Sequence, residues 1–192
     1  MPASGCGDKR EGIVPYRKRC ASTHLRSRSA CILRNRGYAQ GHFERRCDTP
    51  PDHAWVDLSD AKVEISSEDS AYPIEGALVG LQGRGWRASV PGKQTIRITF
   101  DRPRHISRLG IEFEEDEVER SQEFAISWCT APGAPWREAV RQQWNFSPGG
   151  STVEAEEYAV NLDGVARLQL EIDPDRGRNT ALASLKRLHV DS

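Results

Sequence analysis

The chain has 192 residues, 27 Lys and Arg against 28 Asp and Glu, and a formal net charge of -1. That length suffices for one domain with a sizeable core plus an appendage. No apolar run is long enough for a signal h-region or a membrane span, since GIVPY and ACIL are short and followed by charge, so a cytoplasmic address is the default expectation and secretion without a classical signal stays open.

The near-neutral total conceals two unlike parts. Residues 1–50 hold 11 Lys or Arg against 4 acids, a net of +7, which leaves -8 for the rest of the chain. This basic segment has few apolar residues in any periodic arrangement, so it buries too little surface to offset the entropy of ordering it. We expect residues 1–52 to be a disordered extension and 53–192 to be the folded domain. A tail of this kind holds nucleic acid or an anionic membrane by counterion release, although a solvated extension is the plainer reading. Nucleic acid is not an expected partner except through this tail. Four of the five cysteines (Cys6, Cys20, Cys31, Cys47) lie in it with wide, irregular gaps and no CxxC pair. Even with His24 and His42 they fit no standard zinc spacing. Cys129 stands alone in the body and reads as a small buried residue.

From residue 55 onward apolar residues recur with period two, in short runs between turn residues, which is the pattern of an all-β sandwich. KVEIS alternates Val63 and Ile65. YPIEGALV, residues 72–79, reads as a short helical turn. TIRITF alternates Ile96, Ile98 and Phe100, and RPRHISRLGIEF carries Ile106, Leu109, Ile111 and Phe113 with a slip near Arg108 that predicts a bulge. The acidic run 112–120 (EFEEDEVER) reads as a solvated hairpin tip whose repulsion discourages edge pairing and which a basic protein surface could use.

QEFAISW follows with Phe124, Ile126 and Trp128. In RQQWNF, Trp144 and Phe146 share one strand face, and that face is expected to point into the core, with Arg141, Gln143 and Asn145 exposed. TVEAEEYAVNL, VARLQLEI and ASLKRLHV complete the set. Turns are expected at Pro91-Gly92, Asp101 to Pro103, Pro132-Gly133, Pro148 to Gly150, Asp163-Gly164 and Asp173 to Gly177. About eight strands so joined build two packed antiparallel sheets.

The order of these pieces carries a resemblance. ISSEDSAYPIEGAL, a glycine-rich loop ending in GWRAS, the pair QTIRITFDRPRHISRLGIEF, then QEFAISW, Trp136, ARLQLEI and ASLKRLHV together resemble the discoidin-like domains related to the C-type domains of coagulation factors. The resemblance covers about residues 55–191. It implies a galactose-binding-like jelly-roll sandwich, a fold that includes many carbohydrate-binding modules.

The same resemblance implies a ligand held by loops at one end of the sandwich, by an aromatic face and a few amide, guanidinium or carboxylate groups. A sugar has both C–H patches and a rim of hydroxyls, which is why those groups suit it. Loop residues with that chemistry are Tyr72, Arg84, Trp86, Arg87, Trp136, Arg176 and Asn179. Read from the residues alone, Trp86 is a plug closing the sandwich, Arg84 and Arg87 are solvated, and Trp136 belongs to the core.

The family typically carries Ca2+ before this tryptophan and a glutamate in the closing strand. Here the loop VGLQGRG offers no carboxylate and Arg187 stands at the glutamate position, so a calcium site is doubtful and no cofactor is expected. Glu68 and Asp69 read as capping or solvated acids. His105 and His189, inside expected strands, read as structural. The chain has no GxSxG, HExxH, P-loop or strand-helix GxGxxG, so a non-catalytic module is expected. Its ligand would be a carbohydrate or, alternatively, a protein docked on the same loops or on the 112–120 hairpin.

Overall fold

The structure, a computed structural model, describes residues 14–15, 55–56, 58–79 and 84–192. Apart from the two-residue strand β1 (Val14–Pro15), the expectations for segment 1–52, including those for its cysteines, lie outside the described residues. The remaining elements are β2 (Lys62–Ile65), α1 (Glu75–Leu78), β3 (Trp86–Pro91), β4 (Gln94–Glu114), β5 (Arg120–Cys129), β6 (Arg137–Phe146), β7 (Val153–Asp173), β8 (Leu182–Leu185) and β9 (Arg187–Asp191).

All pairings are antiparallel, and two 21-residue strands dominate them. The first half of β4 pairs with β2 and with the second half of β7, and β5 and β6 extend that layer in the order β2-β4-β7-β5-β6. The second half of β4 pairs with the first half of β7 on one side and with β9 on the other, forming the opposing layer. A separate ribbon, β3 with β8, lies beside them. The chain is thus an all-β, antiparallel jelly-roll sandwich.

Two of the expected turns are not reversals. Neither Asp101 to Pro103 nor Asp163-Gly164 ends a strand; β4 and β7 run through both, and their mutual register slips between Thr99 and Arg104, again before Ile106, and again before Arg108. The turn residues there serve a bend that carries one strand pair from one layer to the other, with Gly164 at φ 69°. The slip expected near Arg108 is the last of these irregularities.

The alternating residues meet between the layers. Ile96, Ile98, Leu168, Leu170 and Ile172 line one inner face, and Leu109, Ile111, Phe113, Leu188 and Val190 the other. Phe113 of the second layer bridges them, its ring centroid 5.3 Å from Phe124 on β5 and 5.4 Å from Trp144 on β6. Trp144 is 8% and Phe146 1% exposed, so the RQQWNF pair faces inward while Arg141, Gln143 and Asn145 face water. Cys129 is buried as a free thiol. Truncating Trp144 removes the indole from a three-ring cluster that joins the layers, so Trp144→Ala is expected to lose about 3–5 kcal/mol of unfolding free energy in a urea titration.

Candidate functional site

The pairing register defines two ends of the sandwich. At one end β2 stops at Ile65, β4 starts at Gln94, β5 starts at Arg120, β6 stops at Phe146 and β7 stops at Asp173. The loops 66–74, 115–119, 147–152 and 174–181 therefore gather there. The turn 130–136 and the start of β2 lie at the other end.

The loop end holds a cavity of about 580 Å³ lined by Tyr72, Arg84, Trp86 and Arg87, by Glu114 to Val118, by Arg120, and by β8 and its flanks from Thr180 to Lys186. Its first wall is fixed by backbone. The Arg87 N–H donates to the Tyr72 carbonyl (3.2 Å), and the Asp69 N–H donates to the Arg87 carbonyl (2.9 Å), which ties loop 66–74 to β3. On this frame the Arg87 guanidinium lies 4.0 Å from the Tyr72 ring centroid and donates to Asp69 Oδ2 at 2.9 Å. The Ala71 N–H, and after it Arg87, hold the Asp69 carboxyl below its ordinary range. Glu68 Oε2 accepts the Ile74 N–H (2.8 Å) at the start of α1, so both acids organise the loop.

Gly85 sets the approach of β3 to β8. Its φ is 79°, and a Cβ there would lie 2.4 Å from the Leu185 carbonyl oxygen. Trp86 consequently sits opposite Leu185 at 1% exposure, a plug under the cavity rather than a platform in it.

The opposite wall is the acidic segment. Read from sequence as a solvated hairpin tip, it is only partly solvated and is not a hairpin tip: it joins β4 to β5, which pair with other strands and not with each other, and Glu115 turns inward. Its Oε1 accepts the Glu117 and Val118 N–H groups at 3.0 Å each, and its Oε2 meets Arg120 at 2.8 Å. The Arg120 side chain is 5% exposed, and it also donates to the Leu182 carbonyl at 2.9 Å. Burial lowers the Arg120 pKa, and Glu115 and Asp175 oppose that effect. Glu114 pairs with Lys186 at 2.5 Å across the rim. Trp86 Nε1, Arg87 Nε and Arg120 Nε, all on residues lining this cavity, are buried without a hydrogen-bond partner.

Loop 174–181 is built on Asp175, 7% exposed. Its carboxylate accepts the N–H of Asn179 (2.9 Å), Thr180 (2.7 Å) and Ala181 (3.0 Å) and the Thr180 hydroxyl (2.7 Å). Burial alone would push this carboxyl up, but the Thr180 hydroxyl and those N–H groups outweigh it and bring the pKa down to about 2. Arg176 and Asn179 adopt left-handed φ of 48° and 57° in this loop.

Four of the seven residues singled out by sequence (Tyr72, Arg84, Trp86, Arg87) therefore line one cavity. Arg176 shares that end but reaches Gln143 and Glu123 on the sheet, and Asn179 packs against Gly92. Trp136 stands at the opposite end and, contrary to the expectation of burial, is 38% exposed. It follows the turn 130–135 and lies against Arg97 and Arg167 rather than between the two layers. Lys186 and Ser184 escaped notice because they lie in or beside the four-residue β8, whose alternation masks their role, and Arg120 because it opens the ten-residue β5 as one of its inward-facing positions. The only sequence signal for Arg120 was a cation closing a run of acids. A shallower groove of about 390 Å³ on the second layer is lined by Trp55 and His189, their rings 4.7 Å apart. Among the described residues no cluster of three or more His, Cys, Asp or Glu is placed to hold a metal ion, and no helix is long and apolar enough to cross a membrane.

No protein-family model and no curated protein matches the chain. Solved structures do. A family 32 carbohydrate-binding module of NanJ from Clostridium perfringens, solved with galactose, aligns at TM-score 0.53 and 15% identity over 72% of this chain and 98% of its own. A third such module from a family 31 glycoside hydrolase of the same organism aligns at TM-score 0.55 and 14% identity over 72% and 94%. A family 29 fucosidase of Ruminococcus gnavus, solved with fucose, aligns at TM-score 0.52 and 10% identity over 71% of this chain but 26% of its own. The chain has the discoidin-like, galactose-binding-like fold that these modules share.

The low pKa of Asp175 has a thermodynamic consequence. Its ordinary value is 3.8 and its folded value about 2, so its stabilising effect is complete above pH about 4 and is lost as pH falls through about 2. Asp175→Ala is expected to cost on the order of 2 kcal/mol at neutral pH and to flatten the acid limb of a stability-against-pH profile.

Proposed function

We propose that this protein is a non-catalytic carbohydrate-binding module whose ligand occupies the loop-end cavity. The observation that carries the reading is the composition of that one cavity. An aromatic ring (Tyr72), guanidinium and ammonium donors (Arg84, Arg87, Lys186) and carboxylate acceptors (Glu114, Glu117) surround a space of about 580 Å³, in the size range of small-molecule sites. A sugar needs both donors and acceptors for its hydroxyls and an apolar surface for its C–H face, and this wall supplies each. The shared fold with a galactose-complexed module supports the same reading.

A binding role is supported further by how the acids are used. Glu115 is committed to Arg120 and two backbone N–H groups, so its charge positions the wall rather than standing ready for acid-base work.

A protein ligand is the second reading, favoured by the exposed Val118 (53%) and Leu182 (38%) on the cavity rim beside the acidic segment. One experiment separates the two. On a glycan array followed by calorimetric titration of the best hit, Tyr72→Ala and Lys186→Ala are each expected to weaken sugar binding about tenfold while leaving the unfolding midpoint nearly unchanged. An array without hits, together with a protein that co-purifies with wild type and is lost on Val118→Asp, would overturn the carbohydrate reading in favour of the second.

A further inference from the structure

The end of the sandwich opposite the cavity carries an arrangement that the loop-end site does not use. Trp136 is 38% exposed there, in a domain whose Trp86, Trp128 and Trp144 are at most 8% exposed. Its indole lies against two guanidiniums on the outer face of the five-stranded layer, with Arg97 Cζ 5.5 Å and Arg167 Cζ 5.9 Å from the ring centroid.

Both arginines are fixed by the sheet. Arg97 donates through Nε (3.1 Å) and Nη2 (2.6 Å) to Gln169 Oε1 on the neighbouring strand, and Arg167 Nε donates to Thr99 Oγ1 (3.3 Å). Their side chains are 22% and 20% exposed, so their heads are held in place while part of each meets water.

The charge of this cluster is unbalanced. Glu64 is the carboxylate in contact with it, 2.7 Å from Lys62 and 3.6 Å from both Arg97 Nη1 and Arg167 Nη2, and Glu171 lies one step beyond Gln169 on the same face of β7, accepting from Gln169 Nε2 at 2.9 Å. Lys62 and its salt bridge to Glu64 draw that carboxyl below its ordinary range. Lys62, Arg97 and Arg167 against Glu64 and Glu171 leave a local excess of one positive charge beside an exposed aromatic face. Arg137 over Trp128 and Arg104 over Phe100 place further guanidiniums at the same end, while the acid Asp163 is engaged with His105.

We propose that Trp136, Arg97 and Arg167 form a second saccharide site, separate from the loop-end cavity and fitted to an anionic sugar bearing a carboxylate or a sulfate ester. The C–H face of the sugar ring stacks on the outward face of the indole, and the anionic substituent takes the guanidinium N–H groups that Gln169, Thr99 and Glu64 leave free. Held guanidiniums lose little entropy on binding, which favours this rigid pair over lysines on mobile stems. A single exposed indole with a compact cationic pair matches one ring and one anion. Single-stranded nucleic acid would instead call for a row of stacking platforms along a basic groove.

The test uses the full chain and defined tetrasaccharides in calorimetry: hyaluronan (carboxylate), chondroitin sulfate (carboxylate and sulfate) and cellotetraose (neutral). Wild type is expected to bind at least one anionic tetrasaccharide, more weakly as salt rises. Trp136→Ala should lower that affinity about tenfold or more, Trp136→Phe should restore most of it, and Arg97→Gln with Arg167→Gln should remove the salt dependence. Circular dichroism of each variant reports that the fold persists. The relative affinity of the two anionic ligands tells which substituent is read.

The proposal is overturned by wild type binding neither anionic ligand, by anionic binding unchanged in a folded Trp136→Ala protein, or by tighter Trp136-dependent binding of a single-stranded oligonucleotide. Loss of anionic binding on Tyr72→Ala but not on Trp136→Ala would also overturn it, and would assign the anionic ligand to the loop-end cavity.

Discussion

The structure depends on a single constraint, that β4 and β7 stay hydrogen-bonded to each other while passing from one layer of the sandwich to the other. Each is 21 residues long, and together they supply the central strands of both layers. A flat ribbon of that length would expose both inner faces. The register slips between Thr99 and Arg108 let the pair bend, so Ile96 and Leu170 on one side of the bend confront Phe113 and Val190 on the other. β2, β5 and β9 add directly to edges this pair provides, and β6 adds to β5.

The same bend fixes where function can reside. Because β4 starts and β7 ends at one end, the acidic segment 115–119 and loop 174–181 converge with loop 66–74 around a cavity. Buried electrostatics stiffen the walls: Asp175 organises one loop through four hydrogen bonds, and the Arg120–Glu115 pair locks the acidic segment to β8. A buried pair of this kind contributes little net stability after desolvation, and its value here is in specifying loop position. Among the described residues the opposite end has no comparable set of loops, and its Trp136 and arginines lie on the sheet itself.

Much of the fold was legible. Alternation in TIRITF, QEFAISW and VARLQLEI marks buried faces directly, because side chains on a strand point to opposite sides with period two. The inward face of Trp144 and Phe146 followed from the same rule. Trp86 as a buried plug was also readable, since it stands beside a glycine where the chain enters a strand. The rule failed where local chemistry allowed two outcomes. Asp101 to Pro103 and Asp163-Gly164 carry turn residues, yet they serve a bend within continuous strands. Trp136 is as apolar as Trp144, but whether a layer faces it is not a local property.

The sequence by itself determined the class of architecture, the composition of the core and the set of loop residues with sugar-compatible chemistry, because each rests on short-range periodicity or on residue type. Only the tertiary structure decided that Tyr72, Arg84 and Arg87 meet Glu114 to Glu117 and Lys186 around one space, and that Trp136 joins Arg97 and Arg167 at the far end. Those partners lie tens of residues apart in the chain. Which of them come together is set by the pairing register and by the bend between layers, and neither is encoded in any one segment.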